Sequence, residues 1–454
     1  MLPSEFNERM KRILGEEYEN FSAALNEPPV RGIRVNGVKL SSQDFLKKTV
    51  LSLTPLSYAE YGYIPSEDTG LGKSPEHHAG MYYVQDPGAM AALGALKIER
   101  GWRVLDACAA PGGKSSQAAS LIGDEGLLFS NEFVPKRAKT LVANFERLGI
   151  KNALVTSLDT ARLGEMFDSY FDLVICDAPC SGEGMFRKCD DAVLDWSTEN
   201  IRTSARRQRE ILDACQGTVK AGGYLLYSTC TYAPEEDEEC VSNFLLAHPD
   251  FTLVPAREEL CAVTRRGLPT EGAKTELTRR FYPHLSRGEG QFVALMKKDE
   301  DIDKKSRILY KDAAKPLSKD EITLTEAFLR ENLTECPKGR LIKQGEGIAL
   351  VPSDMVIPDR SVFMAGVMLG EIKGKNFLPH HQLFSAYGSL FKNRENLTKC
   401  DPRTEKYLHG EEIAKSEGTR AGYTAILYEG VPLGGGKCSG EVIKNHYPKG
   451  LRNP

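Results

Sequence analysis

The chain has 454 residues and a formal net charge of -4, enough for about three domains at a prior of ~150 residues each, and with no global positive field to gather polyanions, so nucleic-acid binding must use local patches or shape. Its 11 cysteines are odd in number, lack a repeated short spacing and accompany no export signal, which excludes a disulfide framework. No run approaches the ~18 apolar residues that a membrane span needs, and the expectation is a cytoplasmic monomer with no membrane partner.

From Pro3 to about Asn26 the apolar residues Phe6, Met10, Ile13, Leu14, Tyr18, Phe21 and Leu25 recur at helical spacing, and RGIRVNGVKL then alternates like a strand. A small α+β module is predicted. Glu60 to Asp86 carries Gly62, Pro65, Gly70, Gly72, Pro75 and Gly80, the punctuation of loops, and is read as a connector, with no chemistry for His77 or His78. Between Trp102 and Lys298 the runs WRVLDAC, GLLFSNE, NALVTSLD, FDLVICDA and GGYLLYSTC alternate with helical stretches such as Pro135 to Leu148 and Ile201 to Val219. That rhythm predicts right-handed βαβ units and a parallel sheet. FTLVPA and GQFVALMKK follow without a clear helix between them, so one is expected to pair antiparallel. Lys297 to Asp320, with KKDEDIDKK, reads as a linker. Beyond it come a helix from Glu321 to Asn332 and the strand-like LIKQGEGIALV and SVFMAGVMLGEI, the content of one or two small β-rich domains.

In an open parallel sheet, ligands bind beyond the carboxyl ends of the strands, and DACAAPGGKSSQ, Asp106 to Gln117, occupies the turn after the first run. Ala109, Ala110, Gly112 and Gly113 let the backbone approach a ligand, and the next helix offers free amides. A phosphate-gripping loop needs glycine where Cys108 stands, and the dinucleotide pattern G-x-G-x-x-G is absent. S-adenosylmethionine needs a ribose carboxylate but no phosphate nest and fits best. Glu132 ends the second strand where that carboxylate belongs. Asp159, ending the third run, either approaches the adenine edge or caps a helix.

Cys180 in DAPCSGEG and Cys230 in YSTCTY each lie just past the end of an apolar run. The 5-carbon of cytosine is too weak a nucleophile to take a methyl group unaided. A thiolate adding to the 6-carbon passes electron density to the 5-carbon, and loss of the 5-proton after methylation expels the thiol. Such a thiol needs a lowered pKa. Asp177, beside Pro179 and Cys180, can bond the cytosine edge, and Lys114 supplies a nearby positive charge. The fourth and fifth strands of this topology are neighbours, so both thiols face one pocket, one as nucleophile and one as helper. The residues leave open which is which. Cys176, inside LVIC, is read as core. A zinc site from Cys176, Cys180 and Cys189 lacks paired C-x-x-C spacing, and no metal is expected.

Together DACAAPGGKS, DAPCSGEG and YSTCTY resemble the RsmB/RsmF (Sun-type) RNA 5-methylcytosine methyltransferases, and HLSRGEGQFVA from His284 is similar to that family's closing catalytic-domain motif. GEIKGKNFLPHH and LGGGKCSGEVIKNHYPKGLR resemble the PUA-like domain ending the RsmF branch, and RGIRVN its leading module. The resemblance implies an α/β, class I (Rossmann-like) methyltransferase fold with a seven-stranded mixed sheet. Its divisions are an N-terminal α+β RNA-binding-like module and connector over 1–85, the methyltransferase domain over 86–298, a linker and small C-terminal domain over 299–360, and a β-rich PUA-like domain over 361–454. It implies S-adenosylmethionine held by Cys108, Ala109, Ala110, Pro111, Gly112, Gly113, Lys114, Glu132, Asp159 and Asp177. It makes Cys230 the nucleophile and Cys180 the residue that helps release product, with Asp177 and Lys114 completing the catalytic set.

Of the remaining charged features, EEDEE at Glu235 to Glu239 is read as a helix start whose carboxylates complement the dipole. Arg187 and Lys188, then Arg206, Arg207 and Arg209, are expected along the RNA approach, the second group equally explained as a solvated helix face. The tail residues Lys444, His446, Tyr447, Lys449 and Arg452 mix cations with an aromatic, as RNA-contacting surfaces do. The expectation is a cytosine-5 methyltransferase acting on 16S ribosomal RNA. Its rivals are a tRNA enzyme with the same chemistry and an RNA-binding ribosome assembly factor without turnover, which would not need Cys180, Cys230, Asp177 and Lys114 together.

Overall fold

A computed structural model describes residues 2–67, 70–301 and 305–453. The amphipathic start folds into α1 (Ser4–Leu14) and α2 (Tyr18–Leu25), separated by a turn at Gly15, whose φ of +53° leaves the helical region. Phe6, Met10, Tyr18 and Phe21 form one apolar stripe that packs on Phe186, Tyr232 and Tyr282 of the catalytic part. Strands β1 (Gly32–Val35), β2 (Leu53–Pro55), β3 (Gly62–Pro65) and β4 (Tyr82–Gln85) make a sheet in the order β2-β3-β1-β4. The stretch expected as a connector therefore supplies two strands. Runs this short, bounded by Gly and Pro, show no period of their own and are set by pairing with β1. Asp68 and Thr69 of that stretch lie outside the described residues.

The alternating runs form β5 (Arg103–Asp106), α3 (Gly113–Ile122), β6 (Leu127–Asn131), α4 (Pro135–Leu148), β7 (Ala153–Thr156), α5 (Thr160–Met166) and β8 (Phe171–Asp177). Next come α6 (Asp190–Leu194), α7 (Thr198–Cys215), β9 (Val219–Thr229), α8 (Glu238–Ala247), β10 (Phe251–Leu253), β11 (Arg279–Phe281) and β12 (Gln291–Lys298). The strands β7-β6-β5-β8-β9 are parallel neighbours, and β12 pairs antiparallel to β9 and carries β10 on its other edge. These are the seven strands of a class I methyltransferase fold. Both faces are buried, as continuous apolar runs require. Val104, Leu128, Val155 and Ile175 face one core, and Leu105, Phe129, Leu154 and Cys176 face the other. The sheet is wider than expected, with ten strands: β11, the short pair Arg265–Arg266 and a C-terminal strand extend it.

After the linker region, of which 302–304 lie outside the described residues, α9 (Lys319–Asn332) begins at a capping box formed by Ser318 and Glu321. The linker is not wholly free. Arg307–Ile308 pairs with Phe167–Asp168, Arg307 lies 2.6 Å from Asp168, and Tyr310 meets the Phe167 ring edge-on. The hairpin β13 (Arg340–Gln344) and β14 (Gly347–Val351) follows. Then β15 (Val362–Ala365) leaves this neighbourhood to pair antiparallel with β7 at the edge of the catalytic sheet, before β16 (Val367–Lys373) returns to β14. The last sheet contains β17 (Arg394–Leu397), β18 (Gly422–Tyr428), β19 (Val431–Ser439) and β20 (Val442–Asn445), a curled β unit. It docks on the N-terminal module, where Lys39 Nζ donates to the Pro432 carbonyl at 2.9 Å and Lys48 Nζ to the Glu429 carbonyl at 2.8 Å. No helix among the described residues is long and apolar enough to cross a membrane.

Candidate active site

The carboxyl ends of β5, β6, β7 and β8 bring the expected cofactor residues into one row. The loop after β5 is held by its backbone: the Cys108 amide donates to Asp106 Oδ1 at 3.3 Å and the Ala109 amide to the Asn131 carbonyl at 2.8 Å. The Ala110 and Pro111 carbonyls accept from Arg137 and Asn144 of α4 at 2.8 and 2.9 Å. Gly112 has φ +111°, and a Cβ there would stand 2.9 Å from Leu141 Cδ1, so only glycine fits this turn. Gly112 is also the N-cap of α3 and makes no side-chain cap bond, which leaves amides of the first helical turn facing the site. Glu132 is buried and accepts from the Val134 amide at 2.9 Å, and Asp159 is exposed and accepts from the Ala161 amide through Oδ1 at 2.9 Å. Asp159 therefore caps α5, the second of its two sequence readings.

Beneath the loop, Asp106 is buried and accepts from Ser115 Oγ at 2.6 Å, and burial pushes its carboxyl up to about 7. A carboxyl raised in the folded state binds more protons folded than unfolded between its two pKa values, so it lowers stability as pH rises from about 4 to about 7 and adds no further slope above that. Asp106→Asn is expected to remove this slope, by up to about 1.4 kcal/mol per pH unit, in urea unfolding measured across that range.

Lys114, on the first turn of α3, lies 2.8 Å from Asp177 Oδ1 at the end of β8, and Ser228 Oγ donates to the same oxygen at 2.7 Å. Both partners take Oδ1, leaving Asp177 Oδ2 for a ligand. Beyond the ends of the adjacent strands β8 and β9, Cys180 Sγ and Cys230 Sγ are 3.2 Å apart. The hydrogen bond to Cys230, then burial, hold the Cys180 thiol well above its ordinary range. At this separation either sulfur can donate to the other. Cys176 is fully buried core, as its place in the run predicts.

What fixes the two thiol loops is a set of buried acids that the sequence reading missed. Glu183 accepts from the Tyr232 amide and Thr231 Oγ1 at 3.0 Å each and from Trp196 Nε1 at 2.8 Å. Glu236 Oε2 accepts from the Ser181 amide at 2.9 Å and Gln208 Nε2 at 2.8 Å, tying the Cys180 loop to the run after Cys230. Asp237 accepts from Thr229 Oγ1 at 2.6 Å, and Glu238 and Asp237 both face the buried Arg280 guanidinium, which also donates to the Tyr232 carbonyl at 2.9 Å. EEDEE does contain a helix start, at Glu238. Three of its carboxylates are buried cross-links, however, not solvated dipole caps, because Gln208 and Arg280 reach them from elsewhere in the fold.

Three expected RNA contacts are also corrected. Arg187 is buried against Glu289 at 2.8 Å, and Lys188 lies 2.6 Å from Asp86. Both guanidinium and ammonium neutralise internal carboxylates and are not free for phosphates. Tyr447 is buried with its hydroxyl 2.9 Å from His78 Nδ1, so within the tail Lys444, His446 and Lys449 remain exposed and the aromatic ring does not. Arg206 and Arg207 of α7 are exposed.

Residues 93–297 match the family model of 16S rRNA methyltransferase RsmB/F, 2–87 that of the N-terminal domain of 16S rRNA methyltransferase RsmF, and 396–453 that of the methyltransferase RsmF PUA domain. The ribosomal RNA small subunit methyltransferase F of Klebsiella pneumoniae (strain 342) is 31% identical over 449 residues, spanning 96% of this chain and 92% of the relative. The chain belongs to the RsmB/RsmF family of methyltransferases. Its matches at both ends are those of the RsmF branch, and the Serratia proteamaculans (strain 568) member of the same name is 29% identical over 99% of this chain and 96% of its own length. Among solved structures, a methyltransferase homolog protein from Pyrococcus horikoshii is similar to this RsmF-branch chain at 27% identity and a TM-score of 0.57, covering 65% of this chain and 95% of that one. NSun6 from Pyrococcus horikoshii with SFG, 22% identical with a TM-score of 0.56, covers 66% of this chain and 99% of its own and shares the fold.

Proposed function

We propose that this chain methylates the 5-carbon of a cytosine in 16S ribosomal RNA, using S-adenosylmethionine and a covalent cysteine-cytosine intermediate. The observation that carries the reading is the contact of two thiols at 3.2 Å beside the Lys114–Asp177 pair, in a chain whose relatives are named as small-subunit ribosomal RNA methyltransferases. The row of residues described above suits the cofactor: the glycine turn at Gly112 and Gly113 and the backbone of Cys108 to Pro111 would hold it, with Glu132, Asp159, Asp177 and Lys114 as its polar partners. Bound there, it would supply an electrophilic methyl group.

The chain's own residues account for the rest. Cys230 as thiolate adds to the 6-carbon, and Asp177, oriented by Lys114 and Ser228 through Oδ1, presents Oδ2 to the cytosine edge and favours the protonated ring nitrogen that accepts the displaced electron density. Once the 5-carbon carries the methyl group, a solvent base takes its proton, the electron pair of that C–H bond restores the double bond and the Cys230 sulfur leaves as thiolate. Cys180, as a thiol, donates a hydrogen bond to that departing sulfur. The base leaves its stack to reach the thiol, which suits a flexible or assembly-stage RNA site.

Bisulfite or mass-spectrometric mapping of 5-methylcytosine in ribosomal and transfer RNA, with and without the gene, tests the assignment. Loss of one or more 16S positions is the expected result. Loss confined to transfer RNA would move the substrate, and an unchanged map would sink the enzyme reading. For the cofactor, Gly112→Ala is expected to strain the loop by about 1–3 kcal/mol and to weaken S-adenosylmethionine binding about tenfold or more, read by calorimetric titration.

A further inference from the structure

Lined in part by Cys180 is a cleft of about 460 Å³ whose other lining residues the chemistry above does not use, within the ~300–1,000 Å³ range of small-ligand sites. Its lining includes three sulfur-bearing side chains, Cys180, Met185 and Cys189. It also includes Asp191 and Asp195 from α6 and its end, and Asn200 and Ser204 from α7. Polarisable sulfur packs well on the face of an aromatic ring, and carboxylate, amide and hydroxyl groups read the edge of one. No cation lines the cleft, so a phosphate is unfavoured inside it. Neither Asp191 nor Asp195 has a side-chain partner among the described residues, so both carboxylates are free to accept from a ligand.

Cys230, Asp177 and Lys114 do not line this cleft, whereas Cys180 does. A base here would meet Cys180 but not Cys230 or the Lys114–Asp177 pair, as expected of a neighbour of the reacting cytosine and not of that cytosine itself. On α7, residues 200, 204 and 207 follow the i, i+4, i+7 spacing of one helix face, which puts the exposed Arg207 a turn beyond Ser204. That is where the phosphate of a base seated in the cleft can be neutralised.

We infer that this cleft is a subsite for the nucleobase adjoining the target cytosine, and that Asp191 and Asp195 select a base carrying an exocyclic amino group. The inference rests on the RNA methyltransferase reading and adds to it a residue-level source of sequence preference. A carboxylate accepts from the amino groups of guanine, adenine or cytosine, and uracil offers none.

The test uses the full chain and a short single-stranded RNA with one target cytosine. At each neighbouring position guanine is exchanged for hypoxanthine and adenine for purine, which removes only the amino group. Initial rates of labelled methyl incorporation and RNA binding by fluorescence anisotropy are both recorded. At one neighbour the wild-type chain is expected to lose tenfold or more in rate and affinity with the deaminated base, and Asp191→Ala with Asp195→Ala is expected to bring the ratio within about twofold. Arg207→Ala is expected to weaken binding to every RNA alike and to reduce its salt dependence. Equal rates for amino and deamino bases at both neighbours, or discrimination that survives loss of both carboxylates, would overturn the inference. A preference seen in binding by a wild-type chain that transfers no methyl group would support the cleft assignment and count against the proposed reaction.

Discussion

Cys230→Ala is expected to lower methylation by about 10³-fold or more, the scale seen when a covalent nucleophile is removed, and to abolish covalent capture of RNA. The Cys180→Ala chain should behave differently. It keeps the attacking sulfur but lacks the second thiol 3.2 Å from it, so under the proposed roles the Cys230 sulfur leaves poorly and a protein-RNA adduct accumulates. Denaturing gels of enzyme mixed with radiolabelled RNA separate the cases: no shifted band for Cys230→Ala, a persistent one for Cys180→Ala. The reverse pattern would exchange the two roles.

The second large effect is on stability. Arg280→Met leaves Asp237 and Glu238 buried opposite a side chain with no charge, and breaking a buried ion pair from one side costs about 3–5 kcal/mol. Arg280, Asp237 and Glu238 are all essentially inaccessible, with side-chain exposures of 2%, 0% and 0%, so no solvent relieves the loss. The midpoint of guanidinium unfolding reports it, and the triple variant with Asp237→Leu and Glu238→Leu is expected to recover much of the difference, since apolar replacement of a whole buried ionic group is often neutral. Arg280 also holds the Tyr232 carbonyl two residues past Cys230. A variant folded at low temperature should therefore be less active than its folded fraction implies.

The placing of the candidate site residues was legible in the sequence because it follows from the sheet: Cys180, Cys230, Glu132 and Asp177 stand at or just past the ends of apolar runs, and a parallel sheet gathers such ends. The supporting acids were not. Nothing local distinguishes Glu236, buried against Gln208 and Ser181, from a solvated glutamate at a helix start, and its setting depends on residues 28 and 55 positions away. Arg187 and Lys188 look like phosphate ligands until Glu289 and Asp86 are placed beside them. The strand Val362–Ala365 was visible as a strand, but its partner Ala153–Thr156 lies some two hundred residues earlier, and pairing over that separation leaves no local signature.

The embrace between chain ends also bears on how the molecule is made. His78, just before the fourth strand of the first sheet, has both ring nitrogens engaged at 2.9 Å, one by Tyr447 and one by Asn453, while Lys39 and Lys48 bond carbonyls of residues 432 and 429. Domains ordinarily fold in the order of synthesis, but here the module over 2–87 gains these contacts only from residues 429–453, which are made much later. Ribosome-bound chains stopped before residue 440 should therefore show the N-terminal module more open to protease than the released protein does, and the released protein should melt as one unit.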